Sequence, residues 1–329
     1  MTSMKTRKLG RSGIEVSALG MGCWAIGGPF WRGDTPVGWG EVDDDESTAA
    51  IHAAIEMGIT LFDTANVYGA GHSERVLGRA LGGRRGSLVI ATKFNGVFDE
   101  ETRQITGSDT TPDGIRRQCE DSLRRLGTDY IDLYQFHAGD HPLNQADSVR
   151  ETLEELVAAG KIRAYGWSTD LPDRAEHFAK GPKCAAIQLQ LNVLDDNPEV
   201  IAICERNNLA ALNRGPLAMG LLTEKYTADT KPSDKDVRGS KGPEWMKYFK
   251  EGKPNPEWLE RRDRVREILT SGGRSLSQGA IAWLWARSDM TLPIPGFRTV
   301  AQVKDNAGAL AHGPLTPEQM KEIERILGR

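Results

Sequence analysis

The sequence predicts an α/β protein, a (β/α)8 TIM barrel with an N-terminal β-hairpin and long loops after strands one and seven. Eight short apolar or β-branched runs recur along the 329 residues, at 16–22, 59–63, 88–93, 131–137, 162–168, 186–192, 209–214 and 291–296. Helix-patterned segments separate them, which is the alternation of a parallel sheet, and eight is the number that closes. The main competing fold fails its own context. Gly20-Met21-Gly22-Cys23-Trp24-Ala25 has the spacing of a dinucleotide-binding turn, but Ile26-Gly27-Gly28-Pro29 follows and cannot open the helix that turn requires. Residues 1–329 are therefore read as one barrel domain.

Taken in order, residues 5–9 and 14–16 flank Gly10-Arg11-Ser12-Gly13, the pattern of a hairpin plugging the amino-terminal end of the barrel. Ser73 is a candidate cap for the helix after strand two. Thr111 before Pro112 opens a helix with Ile115, Cys119, Leu123 and Leu126 on one face, and Gly127 stops it. The next helix aligns Val149, Leu153, Leu156 and Val157 and ends at Gly160. Thr316-Pro317-Glu318-Gln319 is a capping box for a terminal helix carrying Met320, Ile323, Ile326 and Leu327. Segments 27–45 and 223–257 are too long for ordinary connections. Both leave carboxyl ends of strands, where barrel active sites are built.

Composition narrows the function. With 39% hydrophobic and 27% charged residues and 36 glycines, the chain is ordinary globular material, which excludes collagen-like, disordered and coiled-coil classes. A net charge of −4 is far from the basic footprint of a nucleic-acid binder. The four cysteines form no CxxC pair, so neither a zinc ribbon nor a redox dithiol is written here. His137 and His141 have the spacing of a metal pair, yet Gly139 and Pro142 deny them a helix, and no metal is expected. The amino terminus has no apolar core, and no run approaches the roughly 20 residues a membrane span needs. A cytoplasmic protein without membrane or nucleic-acid partners is expected; oligomeric state has no signal in the sequence.

Three successive strands end on ionisable residues: Asp63, Lys93 and His137, with Tyr68 five residues beyond Asp63. Any one alone reads as a snorkelling lysine or a capping aspartate. Together at one mouth they suit proton donation to a carbonyl. A tyrosine, with a pKa near 10, is a poor acid at neutral pH. An adjacent ammonium stabilises its phenolate, an aspartate keeps that ammonium charged, and a histidine orients the carbonyl oxygen. After strand eight, Pro295-Gly296-Phe297-Arg298 precedes Thr299-Val300-Ala301-Gln302, read as a capping box, so an arginine stands at a helix amino terminus. That is an anion site of the kind barrels use for phosphate.

Phe62-Asp63-Thr64-Ala65-Asn66-Val67-Tyr68-Gly69, Ala91-Thr92-Lys93-Phe94 and Leu133-Tyr134-Gln135-Phe136-His137 resemble the signatures of the aldo-keto reductases in order and spacing. The likeness runs from Arg7-Lys8-Leu9-Gly10 to Asn306. It implies hydride transfer between a nicotinamide cofactor, usually NADPH with NADH possible, and an aldehyde or ketone, without a metal. By this resemblance Tyr68 is the general acid, Lys93 lowers its pKa, Asp63 orients Lys93 and touches the cofactor, and His137 orients the substrate. Gly22, Cys23 and Trp24 then line the nicotinamide side, Ser168, Thr169 and Gln188 meet its carboxamide, and Gly215, Pro216, Leu217, Gly220, Leu222 and Lys225 follow the pyrophosphate. Gly296, Arg298, Thr299, Gln302 and Asn306 are the candidates for the adenosine 2′-phosphate, and Trp24, Tyr68 and His137 bound the substrate.

The chain departs from the family pattern in several places. Thr169 stands where many relatives have asparagine, Leu191 where tyrosine is common, Ala138 where tryptophan is frequent, and Gly296-Phe297 where some members have lysine and serine. Arg214 replaces an aromatic ring that often stacks on the nicotinamide; a planar guanidinium can stack in its place. Trp24, Trp31 and Trp39 are candidates for an aromatic wall, leaving open a sugar aldehyde, an aromatic aldehyde or a ketone as the small-molecule carbonyl substrate. Two other functions fit the barrel. One is a Schiff-base lyase with Lys93 as nucleophile; the other is a non-catalytic subunit that binds the nucleotide and regulates a partner.

Overall fold

The computed structural model describes residues 6–329; Lys5, which the sequence places in the first hairpin strand, lies outside them. Eight parallel strands form one sheet: β1 (Gly20–Gly22), β2 (Leu61–Asp63), β3 (Val89–Phe94), β4 (Ile131–Phe136), β5 (Ile162–Ser168), β6 (Cys184–Gln190), β7 (Ala210–Arg214) and β8 (Thr291–Pro293). Each pairs with its neighbour in chain order. The ends meet where the Gly22 N–H donates to the Pro295 carbonyl at 2.9 Å and Gly22 bridges Gly296, which closes the barrel. Helices α1 (Asp44–Glu56), α2 (His72–Leu81), α3 (Pro112–Leu126), α4 (Leu143–Ala158), α5 (Pro172–Ala179), α6 (Pro198–Arg206), α7 (Pro256–Thr270), α8 (Leu276–Arg287), α9 (Val300–His312) and α10 (Pro317–Leu327) form the outer layer.

The two-residue period of a strand explains both the core and the mouth. Leu61, Val89, Ala91, Leu133, Ala164, Ala186, Ala210 and Leu212 point into the barrel, while Phe62, Ile90, Tyr134, Ile187 and Ala211 face the helices. Continuing the inward parity along each strand brings Asp63, Lys93, Gln135, His137, Ser168, Gln188 and Arg214 to the carboxyl end. At the opposite end, Thr6–Lys8 pairs antiparallel with Glu15–Ser17, and Leu9, Ile14 and Val16 pack under the inward core. The expected plug is present.

Several local expectations are corrected. The run at 16–22 is two elements, because Ser17 ends the hairpin and β1 begins only at Gly20. Thr111 and Thr316 cap their helices as read, the second with a reciprocal capping box. Ser73 does not cap α2, whose N-cap is Gly71; its hydroxyl instead donates to the Cys23 carbonyl at 2.7 Å and meets Thr64 Oγ1 at 2.8 Å. The box at Thr299 is only half formed. Its hydroxyl accepts from the Gln302 N–H, but Gln302 Oε1 takes the N–H of Arg298 at 2.7 Å.

The segment at 27–45 holds a small hairpin, Trp31–Arg32 with Thr35–Pro36, and α1 begins within it at Asp44. A second hairpin, Gly96–Asp99 with Gln104–Ser108, follows β3 and was not foreseen. Trp31 pairs with Gln104, so the two hairpins make one four-stranded sheet beside the mouth. Segment 223–257 contains Phe249–Lys250 paired with Lys253–Pro254, and α7 starts at Pro256.

Candidate active site

Lys93 lies at the centre of the mouth and is fully buried. Its Nζ donates to Asp63 Oδ1 at 2.5 Å, to the Thr64 carbonyl at 2.7 Å and to the Tyr68 hydroxyl at 3.4 Å. The other Asp63 oxygen accepts from Gln135 Nε2 at 2.9 Å and Gln188 Nε2 at 2.8 Å. A buried ion pair is tolerated when its remaining hydrogen-bonding capacity is met, and here two amides meet it. Gln135 escaped the sequence reading. Its signal was available, since it shares the inward parity of His137 two residues on.

Tyr68 is held by its backbone and by ring stacking. Its N–H donates to the Ala65 carbonyl and its own carbonyl accepts from Ser73. Gly27 approaches so closely that a Cβ there would sit 2.8 Å from the Tyr68 carbonyl carbon, so only glycine lets the first loop cross here. The Trp24 ring stacks on Tyr68 at 5.8 Å, and the His137 ring meets it edge-on at 6.1 Å. Trp24 is in turn flanked by Trp39 at 5.2 Å and Trp245 at 6.2 Å. An aromatic wall exists, with a corrected membership: Trp31 is a hairpin residue outside these contacts, and Trp245 of the segment 223–257 takes its place.

Electrostatics assign different states to these groups. Burial works against the Lys93 charge, but Asp63 and the Tyr68 oxygen overcome it and hold the ammonium above its ordinary value. Burial likewise raises the Tyr68 phenol, with Lys93 opposing that rise. The phenol is thus not below its usual value, contrary to the sequence expectation. The lysine restrains an increase that the dry surroundings impose. His137 is pushed down to about 3, first by burial and then by Lys93, Arg214 and Arg32. It is a neutral imidazole at any working pH.

The positions read as cofactor contacts divide. Gln188 commits its Nε2 to Asp63 and Gln135, leaving its Oε1 for an amide ligand. Ser168 points inward on β5, while the Thr169 hydroxyl donates to the Gly139 carbonyl at 2.6 Å and accepts from the Leu171 N–H at 3.2 Å. The Cys23 and Leu222 side chains are wholly buried in the outer core, so only their backbones can meet a ligand. Arg214, at the end of β7, pairs with Asp170 and reaches Gln190 Oε1 at 3.3 Å. Asp170, another residue not identified from sequence, sets the plane of that guanidinium.

Beyond β7, Gly215, Ala218, Met219 and Gly220 all take positive φ. Left-handed alanine and methionine in one turn are strained, and such strain collects at ligand sites. Arg238 Nη1 donates to the Met219 carbonyl of this turn at 3.1 Å, and burial, Arg238 and Arg298 all lower the Lys225 ammonium. Arg238 is balanced by a bidentate pair with Asp236 at 2.8 and 2.7 Å and lies over the Trp39 ring at 4.3 Å. Lys225 and Arg298 have no such acid among the described residues, so the cradle fits a polyanion such as the phosphates of a dinucleotide. Arg298 Nη1 donates to the Trp39 carbonyl at 3.3 Å and Nη2 to that of Glu41, while the Val237 N–H donates to the Gly38 carbonyl at 2.7 Å. The two long segments and the strand-eight turn thereby converge at one place. Asn306 Nδ2 reaches the Gly296 carbonyl at 3.4 Å on the same side.

Among the described residues no group of three or more histidine, cysteine, aspartate or glutamate side chains gathers to hold a metal ion, and no helix is long and apolar enough to cross a membrane.

A closed barrel whose mouth buries a lysine–aspartate pair under a tyrosine and a neutral histidine defines an oxidoreductase acting on carbonyls. The comparisons agree: the model of the aldo/keto reductase family matches residues 18–327, and the chain belongs to that family. It is 32% identical over 329 residues to the aldo-keto reductase YhdN of Bacillus subtilis, covering 98% of this chain and 94% of that one. The structure of a glycerol dehydrogenase from Gluconobacter oxydans superposes with a TM-score of 0.81 at 34% identity, covering 100% of this chain and 96% of the other. An aldo/keto reductase from Klebsiella pneumoniae in complex with NADP and acetate gives 0.70 at 26% identity, covering 98% and 95%.

Proposed function

We propose that the protein transfers a hydride between NADP(H) and a small aldehyde or ketone, with Tyr68 as the proton donor. The observation that carries this reading is the chain Asp63–Lys93–Tyr68, whose Nζ contacts of 2.5 and 3.4 Å join a buried carboxylate to a phenol through one ammonium. When bound, the cofactor supplies the hydride. The chain supplies the proton from Tyr68 Oη to the carbonyl oxygen, and Lys93 stabilises the phenolate left behind. Gln135 and Gln188 fix Asp63 so that Lys93 Nζ stays aimed at the phenol. His137, being neutral, donates a hydrogen bond to the substrate oxygen without competing for the proton. A Schiff-base role for Lys93 is disfavoured, because its amine is fully buried, spoken for by three acceptors and held protonated.

Candidates for the cofactor are Arg214 against the nicotinamide, Ser168 and Gln188 at its carboxamide, the turn at 215–222 with Lys225 at the pyrophosphate, and Arg298, Thr299, Gln302 and Asn306 at the 2′-phosphate. Arg298→Ala is expected to weaken NADPH by about 10- to 100-fold, the scale of a charge-assisted contact, and NADH by less than about threefold. Quenching of tryptophan fluorescence by each nucleotide measures this. Equal losses for both would place the 2′-phosphate elsewhere.

The pH profile is a second test. Because the His137 pKa lies at about 3, reduction should show no inflection near the ordinary histidine value. Reduction needs the protonated phenol, whose pKa is raised, so the rate should hold through neutral pH and fall only on the alkaline side. An acid limb near pH 6.5, absent from His137→Gln, would contradict the neutral imidazole.

A further inference from the structure

A hydrogen-bonded chain runs from the segment 223–257 to Arg214, and Tyr248, 3% exposed, is its centre. The Tyr248 hydroxyl donates to Asp195 Oδ2 at 3.0 Å and accepts from Gln190 Nε2 at 2.8 Å and Asn192 Nδ2 at 2.9 Å, so its one proton and both lone pairs are used. A carboxylate only accepts, and Asp195 also takes Lys247 Nζ at 2.6 Å. The phenol must therefore give its proton to Asp195 and accept from Gln190. That turns the Gln190 amide with its Oε1 towards Arg214 Nη1, at 3.3 Å. Reversing the amide would set its NH2 against the guanidinium. Gln190 stands beside Arg214 in the register of β6 and β7, and its N–H donates at 2.7 Å to Asp170, the acid paired with Arg214. A Cβ on Gly215 would come 2.5 Å from Gln190 Oε1, so only glycine leaves room for the amide there.

A buried tyrosine with a satisfied hydroxyl ordinarily anchors a loop, and this one does so. Its carbonyl accepts from the Asn255 N–H at 2.9 Å, and its ring meets Trp258 of α7 edge-on at 4.9 Å. The two amides it orders separate it from a simple anchor. Gln190 holds the Arg214 guanidinium, and Asn192 Nδ2 donates to the Gly215 carbonyl at 3.0 Å, so the side chain and the following peptide of one turn are tied to one phenol. Resting on the reading that Arg214 lies against the nicotinamide, we infer that Tyr248 is a positioning residue for hydride transfer. The chain Asp195–Tyr248–Gln190 fixes the guanidinium plane on which the nicotinamide rests and couples the segment 223–257 to that end of the cofactor.

The test is a double-mutant cycle of Tyr248→Phe with Arg214→Ala, read by single-turnover oxidation of NADPH with 4-nitrobenzaldehyde and by tryptophan quenching with NADPH and NADH. Tyr248→Phe should slow hydride transfer by about tenfold and weaken both nucleotides by one common factor of about three- to tenfold, since both carry the nicotinamide. In Arg214→Ala the same substitution should cost less than about twofold, because the group it positions is gone. Gln190→Leu breaks the chain while leaving Tyr248 on Asn192 and Asp195; it should reproduce these losses, and it carries the test if Tyr248→Phe does not fold. Equal losses from Tyr248→Phe in both backgrounds, a loss confined to NADPH, or an unaffected Gln190→Leu make the tyrosine a loop anchor and overturn the inference alone. Arg214→Ala with hydride transfer and both affinities within about twofold of wild type removes Arg214 from the nicotinamide, and the inference falls with that reading. If 4-nitrobenzaldehyde is not turned over, the same cycle in nucleotide affinity decides.

Discussion

Tyr68→Phe is expected to lower kcat for carbonyl reduction by about 10³-fold, within the range for loss of a positioned general acid, while leaving cofactor affinity within about twofold. The structure makes this a clean substitution. The phenolic oxygen has one protein partner, Lys93 Nζ at 3.4 Å, so its removal leaves no strong hydrogen bond broken. The ring keeps its stack on Trp24, and Lys93 keeps Asp63 and the Thr64 carbonyl. Stopped-flow oxidation of NADPH with a carbonyl substrate would give the rate, and nucleotide titration would give the affinity. A variant turning over within tenfold of wild type would remove Tyr68 from the proton path. A lyase working through Lys93 predicts a different pattern, in which borohydride trapping with substrate survives the substitution.

The polar cluster at the mouth was legible because strands have a period of two and three of them end alike. Asp63, Lys93 and His137 each continue an inward row begun by Leu61, Ala91 and Leu133, so the mouth follows from the core. Gln135 lies in the same row and was overlooked, since an amide inside an apolar run reads as an isolated polar residue until its partner, Asp63, is known. Asp170 was hidden for a related reason. Its partners, Arg214 and the Gln190 N–H, come from other strands, and no local spacing announces a contact between residues that far apart.

The loops were less readable. The hairpin at 96–108 is short, carries a register shift near Val97, and is turned by Asp99, whose side chain accepts from Thr102. Only Val97, Phe98 and Ile105 in that segment are large and apolar, too few to mark a strand pair, and its pairing with Trp31 comes from a distant hairpin. Trp245 and Arg238 were likewise invisible inside a stretch that reads as irregular. Arg238 meets Trp39 of the first long segment through a 4.3 Å guanidinium contact beside the backbone bridge from Trp39 to Asp236, and Trp245 meets the Trp24 ring at 6.2 Å. At Thr169, which the resemblance assigns to the carboxamide, the hydroxyl donates to the Gly139 carbonyl, a partner that no local spacing announces.

Lys93→Met should be as damaging to the rate as Tyr68→Phe, and for two separable reasons. Chemically, a phenol raised by burial loses the cation that restrains it, so the proton becomes harder to give up and kcat should fall by about 10³-fold or more. Structurally, removing one partner of a buried pair leaves the Asp63 charge without its counter-ion, which costs about 3–5 kcal/mol of stability. Gln135 and Gln188 still donate to Asp63 and keep the loss from being larger. The second substitution Asp63→Asn in the same chain separates the two effects. It removes the orphaned charge, so the unfolding temperature should recover most of its fall, but it restores no cation beside the phenol, so the rate should stay low. NADPH binding should persist in both variants, because the phosphate-side cations Lys225 and Arg298 are untouched. Recovery of turnover together with stability would mean that Lys93 serves the fold and not the proton.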